Sequence, residues 1–315
     1  MSCLRSLLVF IMMAGCTAVG EVPDTSCMIE IPVSILREEP IPEVVTRATL
    51  GSFKATVDGH STKLLGLRAN SAPHRFVLLL DQSGSMQEKL WPGELKLAKH
   101  FAASLNSTAQ MGLIAFNEVI QSKIPLTSAE ELASKLEQVE KTQPKGRTSI
   151  YTALSEALDL LEPFQPGDII YLLSDGDENS LHSENWNKLR DRFQRNGVRL
   201  FAMILVDDHL ELPRYSRTLE EREGWSNVRT LILDSGGVFS PVSYSRSGSW
   251  NQKLMSDAAY AFYRVMMYDY LLQMEVPKSS KGTMKLNLRF DNPQNRKEHY
   301  RVLSTSRVFN RCSSH

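Results

Sequence analysis

RFVLLLDQSGSM, residues Arg75 to Met86, is the stretch on which the reading of this chain turns. The apolar run from Phe76 to Leu80 is of the kind that fills a strand buried on both faces. It ends in Asp81, followed at fixed spacing by Ser83 and Ser85, a D-x-S-x-S cluster on the loop that leaves the strand. A carboxylate and two hydroxyls are hard oxygen donors, suited to Mg²⁺, Mn²⁺ or Ca²⁺ with waters still in the coordination shell. Alone, such a cluster is also ordinary turn chemistry.

Two further segments make it more than that. GRTSIYTAL, from Gly146, places Thr148 on a glycine-led loop just before a helix, and IIYLLSDGDENS, from Ile169, places Asp175 after a second apolar strand. In open α/β sheets, ligands sit beyond the carboxyl ends of the strands, so three such loops can converge on one ion. In order and context this set resembles the metal-ion-dependent adhesion site of von Willebrand factor A (VWA) domains, over residues 73 to 268. The resemblance implies that Ser83 and Ser85 ligate directly and that Asp81 acts mostly through water. It gives Thr148 as a direct ligand in the partner-bound form, and Asp175 as a ligand through water or directly. The family's usual Gly-Gly-Thr reads Gly146-Arg147-Thr148 here, so the ligand is kept on a more crowded, more positive loop. The implied cofactor is a divalent cation, Mg²⁺ first, with Mn²⁺ or Ca²⁺ as alternatives. The implied partner is a protein ligand presenting Asp or Glu. The competing reading keeps the fold but leaves the site vestigial or purely stabilising, in a structural or assembly module of an envelope complex.

Around this core, the central segment alternates strand and helix, with strands expected at 75–81, 110–117, 168–174 and 198–206 and helices near 93–106, 127–140, 149–162 and 182–195. Crossovers of that length imply an α/β, doubly wound, mostly parallel sheet of VWA or Rossmann-like type with helices on both faces. Leu95, Ala98, Phe101, Ala102 and Leu105 form one apolar stripe, and Ala153, Leu154, Ala157, Leu158 and Leu161 another. Segment 207–227 reads as a polar loop insertion with one short helix, followed by a helix near 228–234, a strand around 238–242 and a last helix over 250–268. Tyr260, Phe262, Tyr263, Met266 and Met267 read as its buried face.

Period-two patterning from Ile29 to Ile35, two short strands around the Asp58-Gly59 turn, and alternating runs at 270–276, 284–290 and 299–304 are expected to pair as one small β-domain built from both ends of the chain. The resulting division is 1–16 signal, 17–27 tether, 28–72 N-terminal strands, 73–268 VWA domain and 269–315 C-terminal strands. This layout, with the F-x-V-x-D-G-like phrase from Phe53 to Gly59, is similar to VWFA-related exported proteins of acidobacteria and their relatives.

At 315 residues, 42% hydrophobic and 23% charged, the chain is ordinary for a folded protein, and its 36 basic residues cancel its 36 acidic ones. No basic run supports nucleic-acid binding. Arg5 precedes the apolar stretch Leu7 to Ala14, too short for a membrane span of about 20 residues and fitting an export signal. Met13-Ala14-Gly15-Cys16 looks like a bacterial lipobox in which Cys16 is diacylated and anchors the protein to a membrane. Ordinary signal-peptidase cleavage and secretion is the alternative. Thr17 favours the outer membrane over inner-membrane retention. Four cysteines then leave Cys27 and Cys312, either as one disulfide or as two free thiols.

Asp177 and Glu178 read as a solvated acidic rim, which with Arg147 would help choose the partner. His74, His100 and His182 show no metal-ligand spacing and read as surface or packing residues, and Asn106-Ser107-Thr108 is a sequon without consequence in a bacterial lipoprotein. No G-x-S-x-G elbow and no G-x-x-x-x-G-K-[ST] loop exists, so neither serine nucleophile, phosphate loop nor small-molecule substrate is expected. The expectation is an exported, non-catalytic protein-binding protein of the cell envelope.

Overall fold

The structure, a computed structural model, describes residues 26–38, 43–87, 90–105, 108–180, 184–207, 219–244, 252–277, 283–291 and 298–309. Cys16, the tether up to residue 25, His182 and Cys312 lie outside them. The strands are β1 (Ser26–Arg37), β2 (Glu43–Val44), β3 (Phe53–Val57), β4 (His60–Ser61), β5 (Leu64–Ala69), β6 (Arg75–Asp81), β7 (Gln110–Phe116), β8 (Ile120–Ser128), β9 (Ile169–Ser174), β10 (Arg199–Asp207), β11 (Phe239–Tyr244), β12 (Tyr270–Pro277), β13 (Thr283–Phe290), β14 (Tyr300–Leu303) and β15 (Arg307–Phe309). The helices are α1 (Leu90–Ser104), α2 (Ala129–Glu140), α3 (Ile150–Leu160), α4 (Trp186–Asn196), α5 (Leu219–Asp234) and α6 (Gln252–Met267). Among the described residues no helix is long and apolar enough to cross a membrane.

The central sheet runs β11-β10-β9-β6-β7-β8, parallel except for β8, which pairs antiparallel with β7 at one edge. Every residue of β6 and of β9 is buried, as continuous apolar runs in the middle of a doubly covered sheet require. One face of the sheet, with Phe76, Leu78, Leu80 and Tyr171, packs on α1, α2 and α6. The other, with Val77, Leu79, Ile170 and Leu172, packs on α3, α4 and α5. Because the chain goes from β6 to β7 on one side and returns to β9 on the other, winding reverses between β6 and β9. The open crevice beyond their carboxyl ends is where such sheets bind ligands.

Both ends of the chain build a second body. One sheet is β14-β1-β12-β5 with β2 beside β1, the other is β15-β13-β3-β4, and between them lies a core of Ile31, Val33, Ile35, Phe53, Val57, Leu272, Met274 and Leu286. Asp58 and Gly59, at φ 49° and 84°, make the tight β3–β4 turn. The strand expected to complete that hairpin is only two residues long, and β5 leaves to join β12 in the other sheet.

A buried polar junction holds the two bodies together. Arg199, 1% exposed, donates through Nη2 to Ser34 Oγ at 3.1 Å and to the Gly236 carbonyl at 3.2 Å, while its Nη1 lies 3.8 Å from Asp269 Oδ2. Asp269, between α6 and β12, also accepts from Asn70 Nδ2 at 3.2 Å and lies 3.1 Å from His74 Nε2. His74 is therefore an interior partner of a carboxylate. Burial lowers the Arg199 guanidinium to about 10 although Asp269 opposes the change.

Four expectations need correction. β8 was not anticipated, because Lys123 and Pro125 interrupt its apolar residues. The segment read as an insertion loop with one short helix carries the first half of α5, from Leu219, which runs without a break into the helix expected near 228–234. On α6, Phe262 and Met266 are buried, whereas Tyr260 is 60% exposed. Glu178 does not belong to a solvated rim, as described next.

Candidate functional site

Asp81 is the last residue of β6, Asp175 follows β9, and Thr148 sits on the loop before α3, so all three border the crevice between β6 and β9. Direct hydrogen bonds lock their loops together. Ser174 Oγ donates to Asp81 Oδ2 at 2.6 Å, Gly84 N to Gly146 O at 2.9 Å, and Thr148 N to Asn179 Oδ1 at 2.8 Å. Each bond joins a different pair of loops. The approach at Gly84 is close enough that a β-carbon would lie 3.2 Å from the Gly146 carbonyl. Gly146 itself is at φ +80°, where a side chain would be strained, while Arg147 is not in the left-handed region and sits exposed. The Gly-to-Arg departure therefore carries no backbone cost.

Within the cluster, Ser83 N donates to Asp81 Oδ1 at 2.9 Å, and the Ser83 and Ser85 hydroxyls lie 3.0 Å apart. Asp81 and Ser83 are buried, Ser85 is exposed and Asp175 is half-buried, so the donors run from the sheet's end out to solvent. Thr148 is 1% exposed and its Oγ1 has no hydrogen-bond partner among the described residues. Burial, and then the negative charge of Asp175, pushes the Asp81 carboxyl from 3.8 up to about 8.

Behind Asp81 stands a residue that the sequence reading missed. Glu94 of α1, fully buried, accepts the Asp81 backbone N–H through Oε1 at 2.6 Å, and its Oε2 has no partner among the described residues. Burial first, and Asp81 second, raises its carboxyl well above the usual range. Its signal was a carboxylate on the apolar stripe of α1, one turn from Leu90 and Ala98. Glu178 is 7% exposed and accepts the Tyr151 N–H at 2.9 Å, satisfying a free donor in the first turn of α3. Asp177 is half-buried with its N–H donating to Asp175 Oδ1 at 3.2 Å.

Among the described residues no group of three or more His, Cys, Asp and Glu side chains could hold a metal, so a cation here depends on hydroxyls as well as carboxylates. The donor set fits one. A buried hydroxyl lacks a partner, two serine hydroxyls point together, and a carboxylate sits in a field that favours a positive neighbour.

Residues 76–212 match the family model of the von Willebrand factor type A domain. No curated protein matches the chain. Among solved structures it is similar to a von Willebrand factor type A protein from Catenulispora acidiphila, at 12% identity over 90% of this chain and 73% of that one, with a TM-score of 0.49. It is also similar to the conserved hypothetical protein BatB from Bacteroides thetaiotaomicron, at 16% identity over 62% and 98% of the two chains, with a TM-score of 0.45. A third is proximal thread matrix protein 1 of the mussel byssus, in a structure with a zinc-occupied MIDAS motif, at 15% identity over 67% and 49%, with a TM-score of 0.47. The α/β segment that begins at β6 thus has a VWA-like fold and contains the stretch that matches the von Willebrand factor type A model, and the strands on either side of it in sequence form the sandwich it is joined to.

Proposed function

We propose that this protein is a non-catalytic binding protein of the cell envelope that captures an acidic side chain of a partner protein through a divalent cation. The observation that carries this reading is the buried, unpartnered Thr148 hydroxyl, held beside Asp81, Ser83 and Ser85 by loops bonded to one another. A bound Mg²⁺ would supply a Lewis-acidic position with few charged ligands around it, able to accept a carboxylate from outside. Ser83, Ser85 and Thr148 would hold the ion directly, with Asp81 and Asp175 largely through water. Asp81, oriented by Ser174 and by its own loop, supplies the fixed negative charge. Arg147, exposed on the rim, and Asp177 tune which acidic partner is accepted. Lipid attachment at Cys16 would place the site at a membrane surface, the outer membrane where the cell has one, with release as a secreted protein as the alternative. Cys27 is disulfide-bonded, which supports a bridge to Cys312 that closes the sandwich.

Calorimetric titration of the full mature chain with Mg²⁺ and Mn²⁺ tests the site. Saturable binding that disappears in Asp81→Ala and Thr148→Ala, followed by capture of a Glu-bearing partner that EDTA reverses, is the expected result. A folded wild type that binds neither ion would overturn it.

A further inference from the structure

At the end of the molecule away from the cation crevice, a cleft of about 250 Å³ opens between the VWA domain and the sandwich. Consecutive residues of β1, from Met28 to Pro32, line it, which means that the strand's edge as well as its face is turned toward the opening. On one side β1 pairs with β12 from Ser26 to Val33, but on the other β14 covers it only from Ser34 onward. β2 shares the β12 side, and there Val45 N donates to the Ile35 carbonyl. By the alternation of an antiparallel ladder, odd-numbered residues of β1 bond toward β12 and even-numbered ones point the other way. The outward backbone groups over the cleft are therefore the N–H and C=O of Met28 and Glu30 and the C=O of Pro32, none with a hydrogen-bond partner among the described residues. An uncovered edge of this kind is a template for one more strand.

Two side chains point to what the strand would carry. Gln194, at the end of α4, lines the cleft, is 8% exposed, and its amide makes no hydrogen bond among the described residues. Arg307 lines it with an exposed guanidinium that has no carboxylate partner there, whereas Glu30 is already tied to Arg68 at 2.9 Å. The uncommitted charge of the cleft is positive. Phe164 and Met28, the latter 67% exposed, supply apolar contact.

We propose that this cleft is a peptide-binding site, in which a short extended segment of a partner protein adds to the outer edge of β1 and places an acidic side chain near Arg307 and Gln194. Met28 and Glu30 would bond the peptide backbone, which gives affinity, while Arg307 and Phe164 would select an alternating acidic and apolar sequence. This site stands independently of the cation crevice.

The probe is a library of blocked pentapeptides, acetyl-Xaa-Val-Glu-Val-Xaa-amide, applied to the full chain, with binding and amide exchange read by NMR. Binding members should slow exchange at the Met28 and Glu30 amides. Met28→Pro removes an outward N–H without touching the β12 ladder and should abolish binding while the melting temperature stays unchanged. Arg307→Glu should weaken the Glu peptides about tenfold and improve the corresponding Lys peptides. That charge swap decides the matter even if Met28→Pro disturbs folding. Absence of any binding peptide, or binding indifferent to both substitutions, would overturn the proposal, as would an occupant that leaves the Met28 and Glu30 amides exchanging freely.

Discussion

Thr148 and Asp81 give opposite tests of the same site. The Thr148 hydroxyl is buried without a partner among the described residues, so no hydrogen bond of it there adds to the stability of the ion-free chain. Thr148→Val is expected to leave the thermal midpoint in EDTA unchanged or slightly higher while abolishing Mg²⁺ binding, as paired melts and calorimetry would show. Asp81 has a folded-state value of about 8 against an ordinary 3.8, so the folded chain retains a proton that the unfolded chain releases across that interval. Stability is therefore full below the lower value and declines as pH rises toward the upper one, and Glu94, shifted in the same direction, adds to the slope. In EDTA, melting at pH 8 is expected below that at pH 5. Mg²⁺ should reverse the loss at pH 8, with Asp81 releasing about half a proton per ion, measurable by titration in two buffers of different ionisation enthalpy. The loop positions of Asp81, Ser83, Ser85, Thr148 and Asp175 were legible in the sequence because each follows a strand or precedes a helix with a recognisable spacing. Glu94 and Ser174 were not, because their roles depend on tertiary approach.

At the scale of elements, the parallel strands could be read because β6 and β9 are covered on both faces and so are apolar without interruption. The parts that escaped were those where burial is one-sided. β8 is an edge strand whose exposed positions include Gln121, Lys123 and Pro125, so its alternation looks like a loop. The first turns of α5 carry charges, and Gly224 follows, which lowers helix propensity. At Gly224 a β-carbon would come within 2.7 Å of the Glu178 side chain, so packing against the acidic loop rather than helix preference sets that residue. The same loop caps α3 through Glu178. Glu178→Ala is expected to cost about 1 kcal/mol in urea unfolding, the usual scale for a lost N-terminal cap, and to loosen the Thr148 loop that precedes the helix.

For the whole molecule, the Arg199–Asp269–Ser34 junction ties the α/β body to the sandwich through residues that lie far apart in sequence, so no local pattern announces it. Asp269→Ala leaves a buried guanidinium uncompensated and is expected to cost about 3–5 kcal/mol, a larger loss than any surface ion pair here would produce, as chemical denaturation would show. The sandwich also imposes an order of events on biosynthesis. β1 is made long before β12 and β14, the two strands it sits between. Its apolar face cannot be covered until Tyr270 and its successors leave the ribosome, so the nascent chain carries an unpaired hydrophobic strand while the whole α/β segment is being made. Such long-range pairing slows folding, and a product truncated before β12 would present that strand to chaperones and proteases, making the position of β1 a built-in check that β12 has been made.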